Sequence, residues 1–108
     1  MIDLREYLDK QGSSPFGDWF ERLNSPASEK VAVAFYRLAS GNFSNVKSVG
    51  SGVLEYRIDF GPGYRIYFGR DGERVVILLG GGSKQRQDRD IRRAIDCWAN
   101  FKKRRKVK

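Results

Sequence analysis

A chain of 108 residues with 40% apolar and 13% aromatic side chains has the composition of one globular domain, which excludes a disordered segment. Its single cysteine, Cys97, excludes an internal disulfide, and with no histidine in the chain a structural zinc site is excluded as well. The net charge of +8 is segregated: residues 1–50 carry six basic and six acidic side chains, residues 51–108 fifteen and seven. Charge placed this way draws a phosphate polymer or an acidic protein to one side of a molecule; a basic surface with no partner is the plainer alternative.

The amino-terminal stretch MIDLREYLDKQG is charged from residue 3 and lacks the apolar core of a secretory leader. No run approaches the roughly 20 apolar residues of a membrane span, so the chain is expected in the cytoplasm, away from membranes. IDLREYL (2–8) alternates apolar and polar, which predicts a first strand at a sheet edge with Ile2, Leu4 and Leu8 inward. Two Ser-Pro steps follow, Ser14-Pro15 and Ser25-Pro26, each suited to serine as N-cap and proline at the first helical position. The first helix places Phe16, Trp19, Phe20 and Leu23 on one stripe. The second does the same with Val31, Ala34, Phe35 and Leu38 and stops at Gly41. Together they are expected to form a helix hairpin covering a sheet.

From about residue 46 the period becomes two. VLEYRIDF (53–60), YRIYFGR (64–70) and ERVVILLG (73–80) predict three consecutive strands, joined at Gly61-Pro62-Gly63 and Arg70-Asp71-Gly72. VKSVG (46–50) is either a short strand or a lead-in. VVILL is almost wholly apolar, as in a central strand covered on both faces. GGGSKQ then predicts a flexible turn into a terminal helix with Ile91, Ala94, Ile95 and Trp98 on its stripe and Cys97 and Phe101 at the margin. KKRRKVK (102–108) predicts a basic, frayed tail. The expected fold is α+β in the order β-α-α-β-β-β-α over residues 1–108, with the helix hairpin and the C-terminal helix packed on a mainly antiparallel, twisted sheet.

Strand alternation sets Tyr56, Ile58 and Phe60, with Tyr64, Ile66 and Phe68, toward a core. Glu55, Arg57, Arg65 and Tyr67 then share the opposite face, and a glycine turn at 80–82 brings Lys84 beside it. Guanidinium forks suit phosphate oxygens, and a tyrosine offers a stacking surface for an unpaired base. A solvated face with Glu–Arg cross-strand pairs, each worth less than ~1 kcal/mol, is the alternative.

Three blocks in order, L-x-x-R-I from Leu54, G-x-G-Y-R-I-Y-F from Gly61 and G-G-x-K-x-x-Q-x-x-D-I ending at Ile91, make the chain recognisable. It resembles the RelE/ParE superfamily of toxin–antitoxin toxins, and within it the HigB-like addiction module killer proteins. The resemblance implies a microbial-ribonuclease-like fold and cleavage of messenger RNA in the ribosomal A site. It also implies inhibition by a cognate antitoxin, often one with a helix-turn-helix DNA-binding domain. It sets Arg57 and Arg65 at basic strand positions and Lys84 at the basic residue after the last strand; Arg86 and Arg89 are further candidates for RNA contact. The chain departs from members that use a histidine for proton transfer, or a tyrosine early in the terminal region, since residues 85–90 hold neither. ParE-type relatives share the fold but inhibit DNA gyrase, and fold alone does not separate the two activities.

Cleavage of RNA by its own 2′-hydroxyl needs a base, a cation at the phosphorane and an acid for the leaving 5′-oxygen, with no metal or cofactor. Glu55 is the candidate base, Arg57 and Arg65 the phosphate clamp, and Lys84 or Tyr67 the acid. A messenger RNA endonuclease, a non-catalytic gyrase inhibitor and a non-toxic basic RNA-binding domain therefore stand as the readings of this sequence.

Overall fold

The computed structural model describes residues 1–106. In chain order it contains β1 (Asp3–Glu6), α1 (Pro15–Glu21), α2 (Ser25–Ala39), β2 (Val46–Gly50), β3 (Val53–Ile58), β4 (Tyr64–Arg70) and β5 (Val75–Ser83). A single 3-10 turn, Lys84–Arg86, then leads into α3 (Gln87–Lys106). After β1 the chain passes through both short helices to the far edge of the sheet. It then returns strand by strand, giving the order β1-β5-β4-β3-β2. The pairings of β2, β3, β4 and β5 are antiparallel, and β1 closes the sheet parallel to β5. The α+β class and the mainly antiparallel sheet are as the sequence predicts, and residues 46–50 are a strand.

Alternation along the strands builds two apolar layers. Tyr56, Ile58, Ile66, Phe68, Val76 and Leu78 meet Phe16, Trp19, Val31, Ala34 and Leu38 from α1 and α2. The two helices touch through Phe16, Phe20 and Phe35. On the opposite face Val53, Tyr67, Ile77 and Leu79 meet Ala94 and Trp98 of α3. The apolar run of β5 is thus covered on both sides.

Four expectations change. The first strand ends at Glu6, so Leu8 is 48% exposed and Tyr7 turns inward instead. Its hydroxyl donates to Asn100 Oδ1 at 2.8 Å. The cap of α2 is Asn24, whose Oδ1 accepts from the Ala27 N–H at 3.0 Å, so the helix begins one residue early. Pro26 still lies in the first turn, where its missing N–H costs nothing. Residues 80–82 are strand rather than turn. Their lack of side chains serves close packing: a methyl group on Gly81 would run into the Trp19 indole, and one on Gly82 into the Asp90 carboxylate. Finally, residues 102–106 continue α3 rather than fray. Arg104 donates to the Leu8 carbonyl and Arg105 pairs with Asp71, tying the last turn to two loops. Residues 107–108 of the expected tail lie outside the described residues.

Candidate functional site

The register of three strand pairings assembles the polar face. Lys47 on β2 lies opposite Glu55 on β3, Glu55 opposite Tyr67 on β4, and Arg57 opposite Arg65. Tyr67 and Arg65 in turn face Gly80 and Gly82 on β5. With no side chains at those two positions, the start of α3 closes over this end of the sheet.

Glu55, Arg65 and Tyr67 are consequently interior groups, with 0%, 5% and 0% of their surface exposed. Gln87, the first residue of α3, donates its amide Nε2–H to Glu55 Oε2 at 2.9 Å. Arg65 Nε stands 3.6 Å from the same oxygen, and Lys47 Nζ approaches the other, Oε1, at 3.8 Å. Arg65 also donates from Nη1 to the Gly63 carbonyl at 2.7 Å, anchoring the turn between β3 and β4. Three buried polar atoms of this cluster lack hydrogen-bond partners: Glu55 Oε1, Arg65 Nε and the Tyr67 hydroxyl. Burial, reinforced by the nearby Glu55 carboxylate, pushes the Tyr67 phenol well above its ordinary range and keeps it protonated at neutral pH.

Above the cluster the surface is cationic and open. Arg57 and Lys47 are exposed and, with Asn45 and Asp59, line a cleft of about 440 Å³ that reaches Glu55. Lys84 is exposed beside the same end of the sheet; its backbone N–H donates to the Pro62 carbonyl at 3.4 Å, and its Cβ packs near Gly63. It arrives there directly off the end of β5, as the first residue of the 3-10 turn, not through a glycine turn. Tyr67 cannot be a stacking surface for a base, because the strand residue expected at a polar face is roofed by α3. Arg65 is likewise an interior partner of Glu55 rather than an open phosphate clamp. Arg86 and Arg89 line a separate groove that shares no lining residue with the cleft.

Lys47 and Gln87 belong to the cluster but escape a reading by residue type. Lys47 lies on a strand whose existence period alone leaves open. Gln87 is a fixed letter of the third block, and its position three residues after Lys84 was the available signal. Among the described residues, no three His, Cys, Asp or Glu side chains are placed to share a metal ion. No helix among them is long and apolar enough to cross a membrane.

An uncharacterized protein of Haemophilus influenzae is 45% identical to this chain over 80 residues, a span covering 73% of this chain and 81% of the relative. The chain belongs to the same family. No family model matches it. Identity of this extent over most of both chains carries the fold across the family.

Proposed function

We propose that the chain is the toxin of a type II toxin–antitoxin module, an endoribonuclease that cleaves messenger RNA on the ribosome in the cytoplasm. The observation that supports this most is the buried Glu55–Arg65–Tyr67 cluster at the base of a cleft lined by Lys47 and Arg57. A carboxylate held beside basic side chains at the base of a cationic cleft has the groups that proton transfer next to a phosphate requires. The RelE-like sequence blocks supply the reaction class.

In this reading Arg57 and Lys47 hold the phosphate at the cleft. Glu55 Oε1 is covered at rest, with Lys47 Nζ 3.8 Å away; once Lys47 turns to the phosphate, this oxygen takes the proton of the 2′-hydroxyl as that hydroxyl oxygen attacks phosphorus. The bond to the 5′-oxygen breaks, Lys84 gives that oxygen a proton, and the products are a 2′,3′-cyclic phosphate and a free 5′-hydroxyl. Arg65 and Gln87 are positioning residues: they aim the carboxylate through Oε2. No cofactor takes part. A cognate antitoxin, of the helix-turn-helix type in the resemblance, restrains the toxin.

The depth of Glu55 and Tyr67 favours a second reading, a ParE-like inhibitor of DNA gyrase that needs no open catalytic carboxylate. Induced expression without antitoxin, with transcript 5′ ends mapped on translated and untranslated copies of one message, separates the two. New ends on the translated copy alone are the expected result. Growth arrest with intact transcripts and trapped DNA breaks would replace the first reading with the second.

A further inference from the structure

The second concavity is built differently from the cleft over Glu55. β1 pairs with β5 only as far as Leu78, where the Tyr7 N–H donates to the Leu78 carbonyl at 2.9 Å. β5 continues to Ser83. Among the described residues, no backbone partner meets residues 79–83 on the side that β1 has left. These five residues form the floor of a groove of about 390 Å³. One wall is the end of α1 and the residues just after it, with Trp19, Arg22 and Leu23; the other is the 3-10 turn and the start of α3, with Arg86, Arg89 and Arg93. Four guanidinium groups thus face one carboxylate, Asp90, which stands 4.0 Å from Arg89.

Three features point to the same ligand. A strand that runs on past its neighbour leaves alternate N–H and C=O groups free in the plane of the sheet, and an extended chain is what pairs with such an edge. At Gly80 the space where a side chain would stand is open, while at Gly81 and Gly82 it is taken by the Trp19 indole and the Asp90 carboxylate, which lie over the faces of the sheet rather than in its plane. The arginines on both walls stand where the alternating side chains of an added strand would project. A single-stranded nucleic acid fits less well, because the aromatic wall is committed: Trp19 is buried against Gly81 and meets Tyr64 edge-on, leaving no face for a base.

We propose that this groove binds an acidic peptide segment in extended form, which adds a sixth strand to the sheet along residues 79–83. The inference does not rest on the ribonuclease reading, since no residue of the groove belongs to the cleft over Glu55.

Random dodecapeptides displayed on phage, selected against the immobilised full chain, provide the probe. The expected peptides carry two or more Glu or Asp spaced by apolar residues, and they slow amide hydrogen exchange at residues 79–83. The double variant R22E/R93E, both on exposed positions, weakens the selected peptides at least tenfold with an unchanged far-UV circular dichroism spectrum. N-methylation of alternate peptide amides abolishes binding while leaving the charges, which tests the strand pairing without altering the protein. Arg5→Ala, outside the groove, leaves peptide affinity unchanged. Selected peptides without acidic bias, protection elsewhere than 79–83, or equal binding to R22E/R93E would overturn the proposal. Protection of the same amides by a dodecauridylate, with no peptide selected, would assign the groove to RNA instead.

Discussion

Glu55 and Arg65 are withdrawn from water together, and each is the other's nearest counter-charge. Removing one partner of a buried pair leaves an uncompensated charge, which costs about 3 kcal/mol. Glu55→Ala is therefore expected to lower unfolding stability by about 3 kcal/mol in urea titration. Tyr67→Phe should act in the opposite direction, because the hydroxyl it removes is buried beside the Glu55 carboxylate without a well-formed hydrogen bond. Its expected gain is about 1 kcal/mol. A loss of stability on Tyr67→Phe would mean that the hydroxyl is bonded in solution. Asp90 gives a pH test. Burial raises its carboxyl above the ordinary value, against the opposing pull of Arg89, Arg93 and Arg86. The folded chain therefore holds this proton to higher pH than the unfolded chain, and the stability it contributes is lost as pH rises through the raised value. Asp90→Asn should accordingly gain on the wild type between pH 3 and pH 6.5 in parallel urea titrations. An equal difference at both pH values would contradict that sign.

The elements were legible where a local rule acts alone, and obscure where tertiary contact sets the outcome. Ser14 with Pro15, the alternation of β3 and β4 and the apolar run of β5 are each specified by neighbouring residues. The glycine run at 80–82 is not. Its composition matches a loop, yet the Trp19 indole over Gly81 and the Asp90 carboxylate over Gly82 require a strand without side chains. Gly81→Ala, innocuous in a flexible turn, should instead cost about 2 kcal/mol through overpacking, read as a lowered thermal midpoint. An unchanged midpoint would return the segment to a loop. The polar face failed for a related reason. Strand period names which residues share a side, but not that α3 covers that side, and so Tyr67 and Arg65 read as exposed. The last turns of α3 hold where six basic residues in seven suggest repulsion and fraying, because Arg104 and Arg105 are satisfied by the Leu8 carbonyl and Asp71.

Taken whole, the molecule carries two separate concavities lined by basic side chains. Lys47 and Arg57 line the cleft over Glu55, and Arg22, Arg86, Arg89 and Arg93 line the groove along the edge of β5. This separation suits the two proposals, a phosphate at the cleft and a protein segment in the groove. RNA affinity should fall with salt, and each phosphate contact removed should flatten the slope of log K against log salt by about 0.7 for a single strand. Arg57→Ala is expected to flatten it by that amount in fluorescence anisotropy on a labelled oligonucleotide. An unaltered slope would place the phosphate elsewhere.

The decisive measurement is the rate at which the purified chain cleaves a message held in a translating ribosome, compared among wild type, Arg57→Ala and Arg5→Ala. Arg5 is an exposed cation whose side chain pairs with Asp3 on β1, so it controls for loss of one positive charge. Cleavage by wild type and Arg5→Ala, slowed at least tenfold in Arg57→Ala, is the outcome expected if the cleft over Glu55 is the reaction site. Equal rates in all three, or no cleavage by the wild type, would contradict it.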